Sequence, residues 1–328
     1  MAEGQEWNLP NVTYGFIGIG VMGFPMAQNL RKRIPSSSKI IICEINKSAV
    51  DKFLSETQPN DNISAASTPK EVAQQCDIVI TMLPKGPHVD TVFTHESTGL
   101  LVGAPDSKTR QVMFMECSTI DVATSNKMND LVTSAGHKFV DAPVSGGYNG
   151  AVAGTLTIMI GGSEELFNEA RPLAEAMGKK ENIYHCGKQG AGLATKQINN
   201  YLGFVSMLGV SEAFNMGRLY GLNPKTLASV VNVSTGQCYN SSKENPIKGV
   251  TDTASVNRDF AGGFSTELCK GVVEMALQLG EQVGAKSVLR DVVLNTLDQA
   301  AEDPRCKGKD YRSIYLHLAD IEQSENHA

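Results

Sequence analysis

Apolar residues in the first part of the chain come in short unbroken runs rather than in alternation. Residues 14–17 (YGFI), 39–43 (KIIIC), 77–83 (DIVITML), 111–116 (QVMFME), 137–141 (HKFVD) and 155–160 (TLTIMI) are such runs. Polar stretches with helical spacing separate the early ones, at 22–32, 49–56 and 68–75. Thr68 followed by Pro69 marks a helix start, because the Thr hydroxyl caps the first turn and Pro has no N–H to lose there. A strand that is apolar at every position is covered on both faces. That is the situation of a parallel sheet between two helical layers. The pattern predicts an α/β, doubly wound N-terminal domain.

The pattern changes after Gly192, where no further run has the character of a strand. Helical spacing is found at 194–220 (as one long helix or two), 224–231, 268–282 and 287–302. The break falls at Gly187-Lys188-Gln189-Gly190-Ala191-Gly192. The expected organisation is a Rossmann-type domain over 12–188 and an all-α domain over 189–322, joined through the long helix, with a polar tail from Gln323. No internal repeat is visible.

Composition narrows the function. The 328 residues suit two domains. The 29 basic against 35 acidic residues leave a net charge of −6, which argues against a nucleic-acid partner, since phosphate binding needs a basic face. Seven scattered Cys without C-x-x-C indicate neither a disulfide framework nor a Cys-rich zinc site, and they suit a reducing compartment. Cys43, Cys76 and Cys117 are expected as small buried hydrophobes, whereas Cys238 lies in a loop as a candidate reactive thiol. Six His show no ligand spacing, so no metal is expected. The stretch 197–211, bounded by Lys196 and Glu212 and holding two Asn, falls short of the ~18–20 apolar residues that span a bilayer. It is expected as a buried helix, with no membrane association. The first twelve residues hold two Glu and no Lys or Arg, which is neither a secretory nor a mitochondrial leader pattern.

Gly18-Ile19-Gly20-Val21-Met22-Gly23 is G-x-G-x-x-G, placed after a predicted strand and before a predicted helix. Gly18 permits the tight turn, Gly20 leaves room for a pyrophosphate and Gly23 lets helix and sheet approach. The N–H groups at Val21, Met22 and Gly23 open the helix towards the phosphates. Glu44 ends the next strand, where a carboxylate accepts from the ribose hydroxyls of NAD and repels the 2′-phosphate of NADP. The expected cofactor is NAD.

The segment 15–30 (GFIGIGVMGFPMAQNL), which contains this glycine loop, resembles the β-hydroxyacid dehydrogenase family. Three further segments fit in order: Asp141-Ala142-Pro143-Val144-Ser145-Gly146-Gly147 through Thr157; Gly190-Ala191-Gly192 with Lys196, Asn199 and Asn200; and 264–270. The likeness covers about 13–320. Cys117 to Asp121, 236–250 and Asp310 to Tyr315 resemble those members that oxidise 3-hydroxyisobutyrate to methylmalonate semialdehyde in valine breakdown. The resemblance implies NAD-dependent oxidation of a small 3-hydroxyacid, assembly as a homodimer or homotetramer, and a mitochondrial matrix location in a eukaryote. The lack of a leader pattern keeps the cytoplasm as the alternative. It also implies cofactor contacts at Leu83 and Pro84, at Thr119, and at Lys270, which closes over the cofactor. His88 stands where the family has an Asn, and Gly271-Val272 where it has Asp-Leu. Asp259 or Glu267 are the candidates to replace that carboxylate.

Oxidising an alcohol sends a hydride to the cofactor and a proton to the protein. Lys196 lies in an apolar helical run, an environment that lowers a lysine pKa towards neutrality, and Asn200 follows at i+4 to orient the hydroxyl. A lysine snorkelling at a helix edge is the plain alternative. Ser145, Gly146 and Gly147 offer a hydroxyl and two exposed N–H groups, a nest for a small carboxylate, with an ordinary turn as the alternative. Two other functions fit the same residues. One is an NADPH-dependent glyoxylate or succinic semialdehyde reductase of the same family. The other is a non-catalytic dinucleotide sensor or scaffold.

Overall fold

The computed structural model describes residues 9–56 and 62–327. The leader question concerns residues 1–8 among others, and these lie outside the described residues. The chain forms two compact units, unit 1, Met1–Lys196, and unit 2, Gln197–Ala328.

Unit 1 runs β1 (Thr13–Ile17), α1 (Gly23–Arg33), β2 (Lys39–Cys43), α2 (Lys47–Ser55), β3 (Ile63–Ala65), α3 (Pro69–Gln75), β4 (Ile78–Thr81), α4 (Gly86–Thr94) and α5 (Leu100–Gly103). It continues with β5 (Met113–Glu116), α6 (Val122–Ser134), β6 (Lys138–Asp141), β7 (Val144–Ser145), α7 (Gly147–Ala153), β8 (Leu156–Gly161), α8 (Glu164–Glu175) and β9 (Gly178–Gly187). The nine strands form one sheet in the order β3-β2-β1-β4-β5-β6-β8-β7, with β9 paired to β8. From β3 to β6 the pairing is parallel throughout.

The unbroken apolar runs are explained by two cores, one on each face. Ile40, Ile42, Ile80, Met115 and Val140 belong to one cluster, and their strand neighbours Ile41, Val79, Phe114 and Phe139 to the other. The caps follow the sequence. Thr68 accepts from the Glu71 N–H, with Pro69 beside it in the first turn of α3.

The sheet departs from all-parallel pairing at one end. β8 is antiparallel to β6 and β7. β7 and the short α7 fill the interval from β6 to β8.

Unit 2 carries no named strand among the described residues. The helix α9 (Ala191–Tyr220) is a single continuous element of 30 residues, and the division between units falls within it. There follow α10 (Pro224–Val231), α11 (Tyr239–Ser242), α12 (Thr266–Gln282), α13 (Arg290–Glu302) and α14 (Ile314–Ala319). Phe204, Phe214, Phe260, Val273, Leu297 and Tyr315 centre the core of this unit.

Candidate dinucleotide and hydroxyacid site

Parallel strands bring their C-terminal ends to one edge of the sheet, and the residues singled out in unit 1 follow those ends. Gly18 follows β1, Glu44 follows β2, Leu83 and Pro84 follow β4, Thr119 follows β5, and Ser145 lies beyond β6. The strand order reverses between β1 and β4, the switch point at which open α/β sheets hold their ligands.

The glycine loop has the dimensions a pyrophosphate requires. Gly18 adopts φ +89°, and a Cβ there would stand 2.2 Å from the Met82 carbonyl oxygen. A Cβ on Gly23 would stand 1.9 Å from the Gly18 carbonyl oxygen, so only hydrogen allows α1 to start this close to β1. Gly20 by contrast faces open space, with nothing within 4 Å of an added Cβ, and Val21 is 73% exposed. No side chain caps α1, and its first turn holds no acid. The positive end of the helix is thus left for an anion.

Glu44 is half-buried, and its carboxylate turns towards this loop. Oε2 accepts from the Ile19 N–H at 3.0 Å and Oε1 from the Asn46 N–H at 3.0 Å. These residues fit a dinucleotide whose ribose hydroxyls are free. A carboxylate at the end of β2 favours such a dinucleotide over one bearing a 2′-phosphate.

Leu83 is tied to Ser118, the residue before Thr119, and through it to Glu116, groups that sequence reasoning missed. The Leu83 N–H donates to Ser118 Oγ at 2.7 Å, and the Ser118 N–H donates to Glu116 Oε1 at 2.9 Å. Glu116 is fully buried at the end of β5, and burial pushes its carboxyl up to about 7. Its only sequence signal was an acidic residue closing an apolar run. Pro84 and His88 are exposed, His88 in the first turn of α4.

Ser145 ends β7, and Gly146 and Gly147 are exposed with φ of +134° and +62°. Those angles favour glycine, since an L side chain rarely adopts them. Lys196 lies on α9 and is 8% exposed. Burial lowers its amine from 10.5 to about 8.

In unit 2, Asn199 is exposed and Asn200 half-buried, one turn beyond Lys196 on the same helix. Lys270 lies on α12 and pairs with Glu274 at 3.7 Å and with Asp298 of α13. Neither Asp259 nor Glu267 is its partner. Asp259 pairs with Lys248, and Glu267 accepts from the Gly308 N–H. Cys238 is half-buried and caps the Ser241 N–H. Cys43, Cys76 and Cys117 are buried, and burial pushes their thiols up. Among the described residues no cluster of His, Cys, Asp or Glu could hold a metal. No helix there is long and apolar enough to cross a membrane.

A doubly wound sheet whose first strand runs into an uncapped glycine loop defines a dinucleotide-binding protein of the dehydrogenase type. Residues 13–187 match the family model described as the NAD binding domain of 6-phosphogluconate dehydrogenase. Residues 190–318 match that described as the NAD-binding region of NADP-dependent 3-hydroxyisobutyrate dehydrogenase. A probable mitochondrial 3-hydroxyisobutyrate dehydrogenase of Arabidopsis thaliana is 38% identical over 93% of this chain and 86% of its own length. The mitochondrial 3-hydroxyisobutyrate dehydrogenase of Homo sapiens is 36% identical over 94% and 87%. The structure of the Mycobacterium tuberculosis 3-hydroxyisobutyrate dehydrogenase with L-serine has a TM-score of 0.83 at 31% identity, covering 94% of this chain and 99% of that one. The chain belongs to the 3-hydroxyisobutyrate dehydrogenase family, oxidoreductases with NAD-binding domains.

Proposed function

We propose that the chain oxidises 3-hydroxyisobutyrate to methylmalonate semialdehyde with NAD, and that Lys196 takes the hydroxyl proton. The observation that carries this reading is the buried Lys196 amine, lowered to about 8 in a chain whose relatives act on a small 3-hydroxyacid. Bound NAD would supply the hydride acceptor. What the chain supplies is the rest. Gly18 to Gly23 and Glu44 hold the dinucleotide, with Leu83, Pro84, Thr119 and Lys270 as further contacts. Ser145, Gly146 and Gly147 receive the substrate carboxylate, and Asn200 orients the hydroxyl. His88 takes the position at which an Asn would contact the cofactor. The relative determined with L-serine supports the ligand class, since serine is itself a compact 3-hydroxy carboxylate.

The relatives' names support a role in valine breakdown and a mitochondrial location, testable by fractionation of the native source. Self-association is supported by α9, which exposes Ile198, Leu202, Met216 and Leu219 along its length. Light scattering on the purified chain tests it, with a dimer or tetramer expected. Steady-state absorbance at the NADH band with 3-hydroxyisobutyrate tests the activity itself. NADH formation, faster than NADPH formation from NADP, is expected. Tight NAD binding without turnover of any 3-hydroxyacid would sink the proposal in favour of a sensor.

A further inference from the structure

Asp141 closes β6 with no exposed surface, and its carboxylate is spent on the start of α9. Oδ1 accepts from the Gly190 N–H at 2.7 Å and Oδ2 from the Leu193 N–H at 2.8 Å, and the Gly192 N–H contributes a further bond. The slot for this carboxylate exists only because two neighbours lack side chains. A Cβ on Gly161 of β8 would stand 2.2 Å from Oδ1, and one on Gly192 would stand 2.8 Å from Oδ2. Lys196 follows Leu193 by three residues, so the clamp holds the turn immediately before the lysine.

We propose that Asp141 is a positioning residue for Lys196, fixing the first turn of α9 to the sheet and thereby setting where the lysine amine stands. The proposal rests on the reading of Lys196 as proton acceptor. Stability alone does not explain this carboxylate. Burial raises the Asp141 carboxyl, and its N–H bonds offset that only in part. A carboxyl raised on folding stabilises the fold when protonated and ceases to do so as pH climbs through its folded pKa. Burial thus acts against the charged form of this carboxyl. Among the described residues, Glu116 from β5 and Cys186 from β9 interact with it, and neither is a cation. The positive end of α9 is what meets its charge.

The test is Asp141→Asn in the full chain, with turnover followed against pH. An amide offers one acceptor oxygen and sets an N–H against a backbone N–H. The first turn of α9 then shifts and water reaches Lys196. The expected result is a fall in kcat of about tenfold to a hundredfold, the scale of a misplacement near 1 Å. The KM for NAD should stay within about threefold, since the glycine loop is untouched, and the midpoint of the pH profile should move up from about 8. Asp141→Glu keeps charge and acceptors but displaces them by one methylene. It should show the same two changes, and it serves if the first variant does not fold. An unmoved midpoint overturns the proposal, whether kcat is unchanged or falls together with NAD affinity and Tm. Lys196→Ala separates the two ideas. If that variant turns over normally, the reading of Lys196 fails. If it is inactive while Asp141→Asn is normal, only the positioning role fails.

Discussion

Raising the pH from 7 to 9 is expected to speed alcohol oxidation about tenfold at saturating NAD, and the factor follows from the Lys196 environment. Proton uptake needs the neutral amine. With its pKa lowered from 10.5 to about 8, the amine is neutral in about a tenth of molecules at pH 7 and about nine-tenths at pH 9. An ordinary lysine would offer about 300-fold less neutral amine at pH 7. The same burial has a second consequence, in stability. The folded state holds this proton less tightly than the unfolded chain. The cost is therefore fully present below about 8 and fades as pH rises towards 10.5. Converted at 1.36 kcal/mol per decade, it is at most about 3 kcal/mol. Lys196→Met is therefore expected to be inactive yet to raise Tm at pH 7, with the gain shrinking by pH 10. The assays are the pH dependence of kcat/KM between 6 and 10 and thermal unfolding at three pH values. A flat rate between pH 7 and 9, or a Met variant less stable than the parent at pH 7, would refute the reasoning.

Glu44→Ala should weaken NAD binding about tenfold and narrow the preference over NADP, read from the two KM values. Ser145→Ala should raise the KM for the 3-hydroxyacid severalfold while leaving the KM for NAD alone, since it removes one donor from the proposed carboxylate nest. Glu116→Gln should become more stable relative to the parent as pH rises. Its carboxyl, raised to about 7 by burial, stabilises the fold only while protonated, so the parent loses that contribution through pH 7. Equal Tm trends for parent and variant from pH 5 to 8 would contradict this.

The parts of the fold that were legible in sequence are those that depend on burial from both sides. Residues 39–43 were read as a strand with the same limits as β2, because Ile40, Ile41 and Ile42 are buried on alternate faces of one sheet. The glycine loop was legible because its chemistry demands missing side chains at fixed spacing. β9 was missed because Lys179, Lys180 and Glu181 are exposed, leaving no apolar run to mark it. β3 was missed because three residues carry too little pattern. The antiparallel turn of β8 was invisible because side-chain pattern does not encode strand direction. At the candidate site, the apolar surroundings of Lys196 are legible in the sequence, but the bonds that hold the turn before it are not. Asp141 meets Gly190 and Leu193 across 49 and 52 residues of chain, a contact made by the sheet rather than by local spacing. Asp298, the partner of Lys270, lies on a different helix, and helix-to-helix packing rather than local spacing brings the two together.

The most direct measurement is the initial rate of NADH formation from 3-hydroxyisobutyrate by the parent chain and by Lys196→Ala, with NAD affinity measured on both by fluorescence. Turnover in the parent, a loss of at least about a thousandfold in the variant and unchanged NAD affinity is the expected result. Turnover in the variant within about tenfold of the parent would contradict the account.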